Sequence, residues 1–396
     1  MSKEYVLRDI GEIYDGPHAT PKRQTEGKYF LNISSLDNGR LQLRKSDHIS
    51  DIDYEKWTRR ITPQANDLLF SYETRLGEAA LMPGGIKAAL GRRMALLRPD
   101  TSKVDPGFLL YKWLSPQWQA LISERTLHGA TVNRIPIRDI PDWPITLPPL
   151  SQQNAIASIL RSLDDKITGN NKIISSSQEL MMALAKKCNT SVLIKTLASK
   201  STQTLNPQTL DHQQVLHYSI PAFDKGHVDI ENAKNIKSSK FQLNKPCVLV
   251  SKLNPRIPRV WSVPTINQSM HALASTEFIV LEPINCTSGQ LFAAVSQPSL
   301  FLQLQAQASG TSNSHQRIRP DDLSNALVPD TRELPNNDVE LLNSLNLLIE
   351  CRTQENQTLA RTRDELLPLL MSGKITVRDA EEASAEVGVD KHEVKE

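Results

Sequence analysis

Between two proline-bearing stretches the chain carries a long run whose apolar and small positions recur at alternating steps of three and four. After Pro144, Pro148 and Pro149, the positions Leu160, Leu163, Ile167, Asn170, Ile174, Ser177, Met181 and Leu184 keep this spacing. Spacing of that kind places one face of a helix in a seam with another helix, here with two polar interruptions. Ser151 stands where an N-cap is expected, since its hydroxyl can accept from a free amide of the first turn. No proline follows until well beyond Lys187, and Gly169 is the one glycine of the run. After Pro335 the pattern returns as Leu342, Leu345, Ile349, Arg352, Asn356, Leu359, Arg363, Leu366 and Leu370, with Asn337 or Asp338 as cap and Gly373 as stop. Each run predicts a helix of about 55 Å at 1.5 Å per residue. A lone helix of that length needs a partner along its seam, and each of the two can serve the other.

The segments before each helix have another texture. Short apolar runs at Tyr29 to Ile33, Asp67 to Phe70 and Met94 to Leu97 alternate with the turn signals Asp37-Asn38-Gly39, Pro83-Gly84-Gly85 and Arg98-Pro99-Asp100. The same habit appears at Val248 to Val250 and Glu277 to Leu281, with turns at Asp224-Lys225-Gly226 and Glu282-Pro283. The expected fold class is α+β: two globular domains separated by two long helices that form an antiparallel coiled coil. The boundaries read as 1–150, a helix over 151–188, a second domain over 189–335, a second helix over 336–375 and a disordered acidic tail over 376–396.

The halves also match each other. Leu160 to Ile167 aligns with Leu342 to Ile349 at an offset of 182, Ile137-Arg138 with Ile318-Arg319 at 181, and Glu179-Leu180 with Glu365-Leu366 at 186. Their near-common spacing predicts a diverged internal duplication with pseudo-twofold symmetry.

Charge refines this only modestly. The formal net charge is +2, but Val377 to Glu396 holds seven acids and three bases, which leaves +6 on the rest. A mildly basic body suits a polyanion without requiring one. Basic residues concentrate locally. Lys87, Arg92, Arg93 and Arg98 share a stretch without an acid, Lys22 and Arg23 follow Pro21, and Arg75 follows a short strand. In the second domain Lys252, Arg256 and Arg259 interleave with Pro255 and Pro258, while His315, Arg317 and Arg319 follow the Gly310-Thr311-Ser312-Asn313 loop. Arginine can bond guanine through two parallel hydrogen bonds, and lysine mainly meets phosphate. We take Lys22, Arg23, Arg75, Arg92, Arg93, Lys252, Arg256, Arg259 and Arg317 as candidate DNA contacts; a solvated basic surface is the alternative.

Catalytic patterns are missing. There is no GxGxxG, P-loop or HExxH, and no Asn-Pro-Pro-Tyr-like or Asp-Pro-Pro-Tyr-like tetrapeptide. His212, His217 and His227 lack ligand spacing, and Glu393-Val394-Lys395 lies in the polar tail. The four cysteines are dispersed with no CxxC pair, so neither zinc nor disulfides are expected, and a reducing cytoplasm is. Residues Met1 to Ile13 are too charged for a signal peptide, and no apolar run approaches the roughly 20 residues of a membrane span.

The stretch Leu147-Pro148-Pro149-Leu150-Ser151-Gln152-Gln153-Asn154-Ala155-Ile156 resembles the opening of the conserved helix in type I restriction-modification specificity subunits, with Gln152 in place of the usual glutamate. Leu160-Arg161-Ser162-Leu163-Asp164-Asp165-Lys166-Ile167 continues that likeness, and Leu366 to Ile375 is similar to the end of the family's second conserved helix. Ser71 to Ala80 and Leu90 to Leu96 resemble one type of target-recognition domain. Asn189 to Pro335 is thinly matched, and Val328-Pro329-Asp330-Thr331 is a poor copy of the helix-opening motif. The resemblance implies a non-catalytic chain in which two domains read the halves of a split DNA site and the helices space them. It implies two methyltransferase subunits and motor-nuclease subunits as partners, which use S-adenosylmethionine, ATP and magnesium, while this chain holds no cofactor. A coiled-coil adaptor without DNA binding, and an enzyme acting alone, remain open alternatives.

Overall fold

Leu68–Ser71 and Cys247–Ser251 are strands buried on both faces, which explains their unbroken apolar sequence. Each lies inside a four-stranded antiparallel sheet with the same strand order. In the first half the order is Gly11–Asp15, Met94–Pro99, Leu68–Ser71, Ala79–Leu81; in the second it is Ala198–Lys200, Phe278–Pro283, Cys247–Ser251, Val260–Val263. A second sheet stands beside each, with parallel pairing of Lys28–Leu31 to Ala88–Leu90 and of Gln214–Tyr218 to His271–Ala274. The computed structural model describes residues 2–17, 19–129, 132–267, 269–307 and 316–389.

Two helices follow each four-stranded sheet, Pro106–Leu114 with Pro116–Glu124, and Ser288–Val295 with Pro298–Gln307. Their starts are set by side-chain caps: Asp105 accepts from the Phe108 amide and Thr287 from the Gln290 amide. Gly107 and Gly289 let these helices approach the long ones. A Cβ on Gly107 would meet the end of Arg161 and Ala157, and one on Gly289 would meet the Leu342 carbonyl at 2.9 Å. Gly107 and Gly289 are 182 residues apart, and so are Arg161 and Asn343, whose Oδ1 would lie 2.8 Å from the second Cβ, the same offset as in the long helices. In the first half Trp113 stacks on Phe70 at 4.6 Å and continues through Trp118 to Trp143.

The long helices run Leu150–Ala185 and Asn336–Ser372. Neither start is the cap expected from sequence. The Pro149 carbonyl accepts from the Gln152 and Gln153 amides, and the Pro335 carbonyl from Asp338 and Val339, so proline supplies the half-in residue and Ser151 lies inside the first turn. Gly373, at φ 70°, ends the second helix as expected, with its amide on Leu370 and that of Lys374 on Leu369.

By its internal packing the chain divides into Met1–Lys166 with Leu359–Glu396, and Ile167–Thr358. The dividing points thus fall within both long helices, not at their ends. Leu160, Leu163 and the second helix's Leu359 and Leu366 are buried in the first unit; Met181, Leu184 and Leu342 are buried in the second. Ile167, Ile174, Leu345 and Ile349 are half-buried. Antiparallel pairing is explicit within each unit. Arg363 Nη1 donates to Asp164 Oδ1 at 2.7 Å in the first, and Asn170 Nδ2 donates to Asn356 Oδ1 at 2.9 Å in the second. The polar interruption at Asn170 is therefore a cross-helix hydrogen bond, which favours one register over neighbouring ones.

The acidic tail departs from expectation. Val377–Glu386 is a helix, opened by a reciprocal cap in which Thr376 and Asp379 bond each other's amides. Ala380 and Ser384 are buried, and Lys166 Nζ donates to the Gly388 carbonyl. Composition suggested disorder, but the capping signal and a small-residue face were present and outweigh it. Residues 390–396, with Glu393 and Lys395, lie outside the described residues.

Candidate nucleic-acid interface

Each buried central strand ends on a serine, Ser71 or Ser251, whose hydroxyl turns back onto its own loop, to the Arg75 and Leu253 carbonyls. The loop that follows is then pinned by three backbone hydrogen bonds that match one for one between the halves. The Tyr72 amide donates to the Arg93 carbonyl and the Lys252 amide to that of Glu277. The Ile135 amide donates to Tyr72 and the Ile318 amide to Lys252. The Thr74 amide donates to Asn133 and the Asn254 amide to Gln316. Ile135 and Ile318 are thus equivalent, 183 residues apart. This corrects the pairing of Ile137-Arg138 with Ile318-Arg319, because the connecting segments differ in length.

Thr74 and Asn254 both take left-handed backbone, at φ 69° and 45°, and Arg93 does so at φ 72°. A non-glycine residue held there costs on the order of 1–3 kcal/mol and persists only where the surroundings enforce it, a habit of binding loops. The charges at the two loops differ. In the first, Arg93 pairs with Glu73 at 2.8 Å; in the second, the position equivalent to Arg93 is Glu277, which pairs with Arg317 at 3.2 Å. One scaffold therefore presents opposite charges at one matched position, Arg93 and Glu277.

The nine basic residues singled out from sequence separate by environment. Lys22, Arg92 and Arg256 are exposed and form no ion pair among the described residues. Arg23, Arg75 and Arg317 are also exposed but lean on Asp47, Glu78 and Glu277. Such pairs are weak in water and can be exchanged for a phosphate or a base. Lys252 turns inward, donating to the Thr276 carbonyl at 2.6 Å and lying 5.6 Å from the Phe241 ring; burial lowers its pKa. Arg259 is held bidentately by Asp224 at 2.6 and 2.9 Å with its side chain only 13% exposed. Arg93, the ninth, is half-buried against Glu73. Arg98, outside the nine, is fixed by Asp67, whose carboxylate is 2% exposed. Lys252, Arg259 and Arg98 brace the fold. The Gly310 to Asn313 loop and His315 lie outside the described residues.

Two features escaped the sequence reading. Arg134 is exposed and bridges Glu73 and Leu127 through its backbone, at the position equivalent to Arg317. Lys56, Trp57, Arg59 and Arg60 surround a cavity of about 270 Å³ beside Asp15. Arg60 pairs with Asp15, and Lys56 Nζ lies 5.7 Å from the Trp57 ring. The run Lys-Trp-Thr-Arg-Arg was the available signal: an indole among basic side chains can stack a base while the cations meet phosphate.

Among the described residues no group of His, Cys, Asp and Glu is placed to hold a metal ion, and no helix is long and apolar enough to cross a membrane. His217 is paired with Glu231 at 2.6 Å.

Residues 2–176 match the family described as type I restriction modification DNA specificity domain. A relative from Methanocaldococcus jannaschii, bearing the name of the MjaX type I restriction enzyme specificity subunit, is 27% identical over 190 residues, which cover 46% of this chain and 44% of the relative. The match thus spans less than half the length of that protein. A crystal structure of a type I restriction-modification system S subunit from M. genitalium superposes with a TM-score of 0.57 at 14% identity, covering 93% of this chain and 96% of that one. At this identity the superposition speaks for the fold: mixed helix and sheet, with two domains and long connecting helices.

Proposed function

We propose that this chain, whose residues 2–176 match the type I restriction modification DNA specificity domain, reads a bipartite DNA sequence and positions catalytic partners on it. The observation that carries this reading is the repeated loop apparatus: two pinned loops, matched bond for bond in the backbone and unlike in side chain, with Arg93 in one where Glu277 stands in the other. A duplicated scaffold with unlike tips suits a site with two unlike halves. Arg92 and Arg256, both exposed, would meet a base or a phosphate in this reading, and exposed Lys22 a phosphate.

Methylation and cleavage then belong to other subunits. Two methyltransferase subunits suit a chain built from an internal duplication; they would use S-adenosylmethionine and flip the target adenine out of the duplex. Motor-nuclease subunits would use ATP and magnesium. This chain takes no cofactor in the reading, and its place of work is the cytoplasm.

Exchange of residues 1–149 for the corresponding segment of another specificity subunit tests the proposal. The exchanged piece keeps both members of the terminal strand pair Lys3–Val6 and Pro144–Leu147. Sequencing of methylated host DNA should show one half of the motif changed and the other kept; an unchanged motif would refute the reading. A finer expectation concerns charge. Lys22→Ala and Arg92→Ala should each lower the slope of log affinity against log salt by about 1 if the side chain meets phosphate.

A further inference from the structure

The second unit contains a cavity of about 230 Å³ that the reading above does not use. Its walls include Tyr218, Phe223 and Trp261; the Trp261 ring lies 4.8 Å from Tyr218 and 5.6 Å from Phe223, edge to face with each. Glu350 and Asn346 also line it, one helical turn apart on the second long helix, and so does Ser262. Among the described residues that line the cavity none is basic.

Two of its polar atoms stand without partners. Asn346 is 1% exposed and its Oδ1 accepts nothing; Ser262 Oγ is also buried and unbonded. Leaving buried polar atoms unpaired costs about 1–3 kcal/mol each, so such atoms call for an explanation. The Glu350 carboxyl accepts from Thr265 Oγ1 at 2.8 Å and lines the cavity within one helical turn of Asn346.

The internal repeat supplies the comparison. At the offset of 182, Asn346 corresponds to Asp164 and Ala293 to Tyr111; in the antiparallel register that sets Arg363 against Asp164, the residue set against position 346 is Met181, although the Glu179-Leu180 match at 186 would put Ser177 there. In the first unit Asp164 accepts from Tyr111 Oη and from the Arg363 guanidinium, both at 2.7 Å. In the second unit, in that register, both donor positions hold apolar residues, fully buried at positions 181 and 293. The first unit satisfies this position with a guanidinium of its own; the second offers an acceptor, a carboxylate and aromatic walls, with no cation.

We propose that this cavity binds a guanidinium group from outside the chain. A guanidinium is planar, weakly hydrated, stacks on aromatic rings and has donors on more than one edge, so one group can bond Asn346 Oδ1 and the Glu350 carboxylate together. The group comes either from a free guanidino compound or from an arginine side chain of a partner subunit. The assignment does not depend on what the loops recognise.

Titration of the full chain with agmatine, followed calorimetrically, tests it. Saturable binding is expected, weakened about tenfold or more in Glu350→Gln. It should be weakened likewise in Asn346→Leu, which removes the unpaired acceptor while nearly keeping the buried volume. Absence of saturable binding, or binding unchanged in both variants, overturns the proposal. The source is then read from assembly with the methyltransferase subunit. If saturating agmatine inhibits assembly, the natural occupant is an arginine of that subunit; if assembly is indifferent, it is a free guanidino compound.

Discussion

Asp164→Ala should lower the stability of the first unit by about 2–3 kcal/mol, between the cost of losing an exposed ion pair and that of losing a fully buried one, because the two side chains are 19% and 24% exposed. Asp164 takes hydrogen bonds from Arg363 on the second long helix and from Tyr111 on the helix Pro106–Leu114, and Arg40 Nη2 donates to its backbone carbonyl. Removing the carboxylate leaves a guanidinium with its side chain 24% exposed deprived of its inner partner, together with a buried phenol. Burial, then Asp164 itself, pushes the Tyr111 pKa well above its ordinary value, so the phenol remains a donor at every pH where the protein is handled. Urea unfolding followed by tryptophan emission checks this directly. Four of the five tryptophans, at 57, 113, 118 and 143, lie in the first unit, so the signal reports mainly on it. A loss below about 1 kcal/mol, the usual worth of an exposed pair, would show that the network is not structural.

If the chain reads a split DNA site as proposed, a paired insertion of four residues, one within 349–356 and its complement within 170–177, should lengthen the unread spacer by roughly 6 Å, one helical turn. An insertion in one helix alone is expected to fail. On one side of it Asp164 must still meet Arg363, and on the other Asn170 must still meet Asn356; four extra residues in a single helix cannot satisfy both. Methylated-motif sequencing reads the spacer. If the paired variant assembles and methylates at an unaltered spacing, the helices are not the ruler.

How much of this could be read from the chain depended on how local the governing interaction was. The helical seam was readable because burial imposes a spacing of three and four within each helix. The turn at Asn38-Gly39 was readable because both residues need positive φ, and they have it at 45° and 84°. The duplication emerged from an offset of 182, which the glycine contacts at Gly107 and Gly289 repeat. The fate of each basic residue was not readable. Arg98 finds Asp67 and Arg259 finds Asp224 across more than thirty residues of intervening chain, and no local pattern announces such a partner. The equivalence of Ile135 with Ile318 was hidden by unequal loop lengths, and only shared backbone bonds reveal it. In the C-terminal segment, acidity was weighed above a Thr-x-x-Asp start that was visible throughout.

The two units differ in how they are assembled from the chain. Ile167–Thr358 is one uninterrupted stretch, whereas the other unit needs residues from Leu359 onward to complete Met1–Lys166. On a ribosome adding 5–20 residues per second, Lys166 precedes Leu359 by roughly 10–40 s. During that interval Asp164 and Tyr111 have no Arg363 to meet, and the buried faces of Leu160 and Leu163 have no Leu359 or Leu366 to cover them. The nascent N-terminal region must therefore wait half-finished while the middle of the chain completes itself. It is the part of the protein most exposed to chaperones, to proteases and to mispairing with the same region of a neighbouring nascent chain.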